Sequence, residues 1–255
     1  MHRYVIGGIG FLVDGPLPDL STDGFADAEI RVQFDDALAG GDRGIPTGRL
    51  LTGPMDLTGA IDPDSGVAWL PATATNPEAR SWHLRQMAPI FSTGLGRLVL
   101  HAGAAETADG PIALVGESGA GKSTLAHFLH ASGHRLVADD LLPVRFTPTA
   151  ATPVGDRLRR IAAICVMTRT ETRTVQSQRL PVIDALQRLI ANGFGEHGDP
   201  ELWRFQFDAY HRISETIPVF DLTIPDDLDA LSRVEKEVAR LAEASNDLAN
   251  GRRTI

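Results

Sequence analysis

The chain has 255 residues, of which 43% are hydrophobic and 22% charged, and its formal net charge is −9 at pH 7. This composition is typical of a globular protein with one large or two small domains. The acidic balance argues against non-specific binding of nucleic acid. The single cysteine, Cys165, excludes an intrachain disulfide and a cysteine-based zinc site, so we expect a cytoplasmic protein. No apolar run is long enough to cross a bilayer, and we expect no membrane partner.

Short strands separated by turn residues dominate the first ninety or so residues. The predicted strands are 4–13, 28–34, 49–51 and 66–70. Turn sequences such as Asp14-Gly15-Pro16 separate them. A helical pattern follows over Glu78–Phe91. We therefore predict a small, mainly β N-terminal region over 1–90.

Strands and helices alternate from residue 97 onward, which is typical of an α/β domain. The predicted strands are 97–101, 111–115, 135–138, 161–167 and 218–223, and the predicted helices are 122–132, 181–192, 200–214 and 227–244. Gly133 supplies a stop for the first of these helices. We predict one α/β domain over 91–245 and a flexible tail over 246–255.

Residues 112–124 combine a buried strand, a glycine-rich loop and the start of a helix. The spacing Gly116-x4-Gly121-Lys122-Ser123 matches the phosphate-binding P-loop in full. Glycines leave room for backbone N–H groups to approach a triphosphate, and the following helix directs its positive end at the same anion. Lys122 adds a charge for the phosphates, and the Ser123 hydroxyl is a ligand for Mg²⁺. The residues expected to bind the nucleotide are Gly116, Glu117, Ser118, Gly119, Ala120, Gly121, Lys122, Ser123 and Thr124.

Two adjacent carboxylates, Asp139 and Asp140, follow a short predicted strand after the P-loop helix. One carboxylate at such a position can bind Mg²⁺, and the other can accept the proton of an attacking hydroxyl. A solvated turn is the other interpretation of such a pair. The position shortly after the P-loop lysine favours the functional one.

His101 and several arginines are further candidates. His101 ends the predicted strand before the P-loop strand, where a histidine can bind phosphate or position the acid–base group, although a structural role is equally compatible with it. The other seven histidines are interpreted as structural. The candidate phosphate clamps are Arg157, Arg159, Arg160, Arg169, Arg173 and Arg212, of which the Arg169–Arg173 stretch is the first to test.

Three stretches in this order resemble the catalytic domain of the HPr kinase/phosphorylase family: Leu98–His101, Leu114–Thr124 and Gly133–Asp140. The resemblance implies a P-loop domain of the HPr kinase and phosphoenolpyruvate carboxykinase type, and a phosphotransferase that uses ATP and Mg²⁺ to phosphorylate a serine of a protein. It further implies that Asp139 is the general base and that Asp140 and Ser123 bind magnesium. Lys122 would hold the phosphates, and His101 would assist at the phosphoryl site.

The compact N-terminal region resembles a shorter branch of that family. Gly8–Val13 and Pro16–Leu20, with the overall size, are similar to the short HPr-kinase-related proteins found beside lasso-peptide biosynthesis genes. Some of those proteins phosphorylate a serine at the end of the precursor peptide. The resemblance thus implies a nucleotide and a serine-bearing peptide or protein as partners, and, because the family forms oligomers, a homo-oligomer. Thr124 stands where the bifunctional enzymes have Glu, so the resemblance does not extend to phosphorolysis.

Two other functions remain open at this stage. The loop sequence is also that of transport-type ATPases, although the Leu-Ser-Gly-Gly-Gln signature of ABC ATPases and the Asn-Lys-x-Asp motif of GTPases are absent from the sequence. A nucleotide-sensing module that docks a partner without chemistry is the third possibility. The intact set of Lys122, Ser123 and both aspartates favours the kinase, because a pure binding module need not retain all four.

Overall fold

The computed structural model describes residues 1–6, 9–20, 22, 26, 28–35, 49–52, 58–72, 76–147, 150–153, 160–194 and 200–249. Within these ranges the protein is a mixed α/β structure with two sheets and five helices. The chain divides into two compact units: residues 1–99, 154–156 and 194–207 form the first, and residues 100–153, 157–193 and 208–255 form the second.

The first unit contains a six-stranded sheet with the order β1-β2-β3-β6-β5-β4. Its strands are β1 (His2–Ile6), β2 (Ile9–Val13), β3 (Ala28–Asp35), β4 (Arg49–Thr52), β5 (Thr58–Asp62) and β6 (Val67–Pro71). Strands β2, β3 and β6 are parallel neighbours, whereas the other pairs are antiparallel.

Helix α1 (Pro77–Gly94) packs on the sheet of the first unit. Its start is capped by Asn76, whose side chain accepts a hydrogen bond from the Ala79 N–H at 2.7 Å. Gly59 in β5 admits the side chains of Met87 and Phe91, which lie 3.0–3.2 Å from the position that a Cβ there would take. The glycine therefore lets the apolar face of α1 approach β5 closely.

The second unit is built on an eight-stranded mixed sheet with the order β11-β10-β7-β8-β12-β14-β13, and β9 pairs with β7. Its strands are β7 (Leu98–Thr107, whose first two residues belong to the first unit), β8 (Gly110–Val115), β9 (Arg135–Ala138), β10 (Leu141–Thr147), β11 (Ala150–Pro153), β12 (Ala163–Thr170), β13 (Gln176–Arg179) and β14 (Val219–Pro225). Strands β8, β12 and β14 run parallel, so their carboxyl ends lie at one edge of the sheet.

The remaining helices are α2 (Lys122–Ala131), α3 (Val182–Ala191), α4 (Pro200–Thr216) and α5 (Leu231–Ala249), the last preceded by a 3-10 turn over Leu228–Ala230. Leu125 and Leu129 of α2 share one buried cluster with Val238 of α5. Cys165, in the middle of β12, belongs to the same cluster and is completely buried. This cluster places α2 and α5 against the parallel strands.

Several predicted elements differ from the structure. The predicted strand 4–13 is two antiparallel strands that pair Ile6 with Ile9, and the sequence signal for this hairpin is the Gly7-Gly8 dipeptide, which lies outside the described residues. The strand predicted to end at His101 continues to Thr107, because small residues after the histidine extend it beneath α2. The final helix begins at Leu231 and continues to Ala249, so the first four residues of the predicted tail are helical. The strands that were not predicted are β5, β10, β11 and β13.

None of the helices in the described ranges combines the length and the apolar character that a membrane span requires.

Candidate nucleotide-binding site

The glycine-rich loop lies between β8 and α2, at the carboxyl end of the parallel strands. Gly116 is buried, and a Cβ at this position would lie 2.8 Å from the Met167 carbonyl oxygen of β12. Gly121 has a φ of 92°, a left-handed conformation that side chains disfavour. The first glycine is therefore required by close packing and the second by the backbone turn.

The first turn of α2 has the features of an anion site. Its cap residue is Gly121, which offers no side-chain hydrogen bond, and the first turn carries no acidic residue. The first N–H groups of a helix have no partner within the helix, and the helix dipole adds a partial positive charge. The structure thus leaves this helix start without the carboxylate or hydroxyl that usually caps it.

Lys122 is folded back into its own loop. Its side chain is only 6% exposed, and the ammonium donates hydrogen bonds to the carbonyl oxygens of Gly116 at 2.7 Å and Glu117 at 3.1 Å. Burial lowers the pKa of Lys122, and the nearby Asp140 carboxylate opposes that shift. The charge is consequently held against the backbone of the glycine-rich loop.

Strand β7 explains why the two aspartates lie beside the loop. On one edge it pairs with β8, whose last residue Val115 is opposite Ala102. On the other edge it pairs with β9, whose last residue Ala138 is opposite Ala104. The Ala102 N–H then donates to the Asp140 carbonyl at 2.9 Å. Since both neighbouring strands end at the same level of β7, the start of the P-loop and the aspartate pair meet there.

Each aspartate contacts a different histidine. The Asp140 carboxylate lies 3.0 Å from Nε2 of His101, and the Asp139 carboxylate lies 3.1 Å from Nε2 of His127. The Ser123 hydroxyl donates a long hydrogen bond of 3.4 Å to the Asp139 carbonyl. The structure therefore brings together Lys122, Ser123, His101 and both aspartates, which were predicted from separate parts of the sequence.

His127 is a member of this group that sequence reasoning missed. It was interpreted as structural along with six other histidines. The available signal is its spacing from Ser123, because residues four apart lie on the same face of a helix. If the Ser123 side chain faces the site, the His127 side chain is therefore expected to face it as well.

The candidate arginines have different surroundings. Arg169, at the end of β12, donates a hydrogen bond to the Gly119 carbonyl at 3.3 Å and forms an ion pair with Asp226 after β14. Arg212 stacks over Phe146 at 5.7 Å, and Arg173 accepts a hydrogen bond from Arg233 through its carbonyl oxygen. Arg160 lies just before β12. Arg157 and Arg159 lie outside the described residues. Arg169 is thus a candidate that contacts the loop.

Two cavities flank the loop, and Arg169 lines both. The first, here called the β12 cavity, has a volume of about 330 Å³ and lies between the first half of the loop, the end of β12 and the end of α3. The second, the β14 cavity, has a volume of about 290 Å³ and is lined by Gly121, Thr124, Arg169 and residues 224–228 and 231. Neither was predicted, because the walls come from segments that are distant in sequence.

The donor groups suit a hard divalent cation. The Ser123 hydroxyl and the Asp140 carboxylate supply oxygen ligands, which Mg²⁺ prefers. Within the described part of the chain, no three side chains of His, Cys, Asp or Glu gather into a metal-binding cluster. Mg²⁺ in phosphoryl-transfer sites keeps waters and phosphate oxygens as ligands, so one or two protein oxygens are sufficient.

Part of the chain is similar to solved structures. No protein-family model matches the sequence, and no curated protein matches it. The HPr(Ser) kinase/phosphatase from Coxiella burnetii aligns with 13% identity and a TM-score of 0.34, over 56% of this chain and 94% of that one.

Proposed function

We propose that the protein is a phosphotransferase that moves the γ-phosphoryl group of ATP to a serine hydroxyl of a peptide or protein. The observation that carries this proposal is the alignment along β7, which brings the P-loop to the same level as Asp139 and Asp140. The three stretches that resemble the HPr kinase catalytic domain support the same activity and the same type of P-loop domain. A serine at the end of a peptide, the acceptor of some of the short HPr-kinase-related proteins that the N-terminal region resembles, is the proposed acceptor.

The loop and the start of α2 bind the polyphosphate. Backbone N–H groups around Gly119 and Gly121 surround the phosphates, and Lys122 exchanges its loop carbonyls for phosphate oxygens. Ser123 and Asp140 would hold Mg²⁺, which neutralises charge on the phosphates when bound. His101 keeps the Asp140 carboxylate oriented through its contact at 3.0 Å.

Asp139 is the general base. Its carboxylate takes the proton of the serine hydroxyl while the serine oxygen forms a bond to the γ-phosphorus and the bond to the β-phosphate oxygen breaks. The products are phosphoserine and ADP. His127, at 3.1 Å, holds the Asp139 carboxylate in one orientation during this transfer.

The proposal is tested with Mg²⁺, γ-labelled ATP and a panel of peptides that carry serine at the C-terminus or internally, each with a matched alanine peptide. We expect label on serine peptides only. Asp139→Asn should lower transfer about a hundredfold or more, the usual contribution of a general base, with little change in the affinity for Mg²⁺-tripolyphosphate.

Asp184→Asn is the matched control, because Asp184 is an exposed carboxylate in the first turn of α3. This variant should transfer label at the wild-type rate. Absence of label on every serine peptide, together with ATP turnover that Asp139→Asn leaves unchanged, would contradict the kinase and favour an ATPase or a binding module.

A further inference from the structure

The first turn of α2 faces two different surroundings. Ser123 donates towards the Asp139 carbonyl, whereas the next residue, Thr124, lines the β14 cavity. Adjacent residues on a helix point about 100° apart. A polyphosphate across this helix start therefore has the aspartate pair at one end and the β14 cavity at the other.

The β14 cavity has apolar walls and a suitable size for a nucleobase. Ile224 and Leu231 line it, and Leu228 stands at it with 72% of its surface exposed. A volume of about 290 Å³ is close to the lower range of small-molecule sites, which are lined mainly by apolar side chains with a few polar groups. When an exposed leucine beside such a cavity covers the flat face of a ligand, its apolar surface is removed from water, which stabilises the complex.

The acidic residues of this cavity already have contacts. Asp226 is paired with Arg169, and the Asp227 carboxylate accepts a hydrogen bond from the Asp229 N–H at 2.9 Å at the start of the 3-10 turn. The repulsion that two carboxylates would exert on a nucleotide is thus reduced. Arg169, bonded to the loop at Gly119, lies on the route between the phosphates and the cavity.

The β12 cavity is the alternative position for the nucleoside, and its residues suit a nucleoside less well. It meets the loop at Glu117–Ala120 and does not include Gly121 or the first turn of α2. The exposed carboxylate of Glu117 lies in its wall. Its Arg188 is held by both oxygens of Asp221, at 2.9 and 3.1 Å.

We infer that the nucleoside of the bound triphosphate lies in the β14 cavity, with its base covered by Leu228 and its terminal phosphate directed at Asp139. This inference rests on the proposed function, because it assumes that the P-loop binds a nucleoside triphosphate. It assigns nucleotide selection to the segment after β14, which the sequence motifs do not mark.

The experiment compares two probes by calorimetry in the presence of Mg²⁺: ATP, which carries a nucleoside, and inorganic tripolyphosphate, which does not. We expect Leu228→Ala to weaken ATP binding about tenfold and to leave tripolyphosphate binding within about twofold. Leu228→Met should restore most of the ATP affinity. Because Leu228 is exposed, neither variant should shift the thermal unfolding midpoint.

Asn192→Ala, in the β12 cavity, is the matched control and should bind both probes as the wild type does. Weaker ATP binding in Asn192→Ala, with Leu228→Ala unaffected, would overturn the inference in favour of the β12 cavity. An equal loss of affinity for both probes in Leu228→Ala would also overturn the inference. If Lys122→Met left the binding of both probes unchanged, the P-loop itself would not be the phosphate site, and the proposed function would fail separately.

Discussion

Lys122 illustrates, at the scale of one residue, how a candidate binding site can lower the stability of the folded protein. The residue is almost completely buried, and burial lowers its pKa despite the attraction of Asp140. A lowered pKa means that the folded state disfavours the charged form. The charge that would bind phosphate therefore reduces the stability of the empty protein.

Replacing this lysine by an apolar residue of similar length should separate binding from stability. We expect Lys122→Met to lose tripolyphosphate affinity by at least tenfold, since hydrogen bonds to charged groups are worth about 1.5–3 kcal/mol. Its thermal unfolding midpoint at neutral pH should be higher than that of the wild type. Lys236→Met, which changes the exposed lysine of α5, should alter neither property.

The pH dependence of this difference follows from the direction of the shift. Below the lowered pKa of Lys122, folded and unfolded chains both carry the proton, and the wild type bears the full cost of burial. As the pH rises towards the unfolded value of 10.5, the folded state releases the proton first and the cost disappears. The difference in thermal unfolding midpoint between Lys122→Met and the wild type should therefore become smaller. A lower midpoint at neutral pH would show that the hydrogen bonds to Gly116 and Glu117 outweigh burial.

Among the secondary-structure elements, β7 contacts the strand before the glycine-rich loop, the Asp140 backbone and α2. Gly103 lies in this strand under the start of α2, and a Cβ there would lie 3.2 Å from the Lys122 carbonyl and 3.3 Å from Cβ of Ala126. These contacts are tight because the strand and the helix approach one another closely. The position of the P-loop helix over β7 thus depends on the absence of a side chain.

Gly103→Val should push the start of α2 away from β7. We expect a loss of about 1–3 kcal/mol in the free energy of unfolding, the usual cost of overpacking, and at least a tenfold loss in tripolyphosphate affinity. The measurements are chemical denaturation and calorimetry on the same preparations.

Gly15→Ala is a control for destabilisation alone. Gly15 has a φ of 92° with nothing within 4 Å of its Cβ position, so alanine there costs about 1–2 kcal/mol of backbone strain. Tripolyphosphate affinity should be unchanged in this variant. Binding by Gly103→Val at the wild-type level would mean that the site does not depend on close packing between β7 and α2.

Elements with a strong local pattern, such as α2, could be predicted from the sequence, whereas β13 could not. Helix α2 was predicted to within one residue because its apolar spacing, its glycine start and Gly133 agree. Strand β13 was missed because its sequence, Gln-Ser-Gln-Arg, is polar, and only its pairing with β14 makes it a strand. In the candidate site, the motif residues were found, but the contacts of His127 and Arg169 depend on segments that meet only in the folded chain.

At the scale of the whole molecule, the loop, the aspartate pair and both cavities belong to one unit, formed by 100–153, 157–193 and 208–255. The first unit takes up the separate segments 154–156 and 194–207. The assignment of separate segments to one unit depends on long-range contacts, and local periodicity in the sequence does not predict them.

The single thiol of the protein makes the opening of this unit measurable. Cys165 in β12 pairs in register with Leu114 of the P-loop strand and with Phe220 of β14, and burial raises the pKa of its thiol to about 12. A disulfide reagent can therefore react only after these strands separate. At a tripolyphosphate concentration one hundred times the wild-type dissociation constant, we expect modification to slow about a hundredfold in the wild type and by about tenfold or less in Lys122→Met, whose affinity is at least tenfold weaker. An equal rate with and without tripolyphosphate in the wild type would show that the strands part while the anion stays bound. Protection would instead let the reactivity of one buried thiol report how much of the loop is occupied.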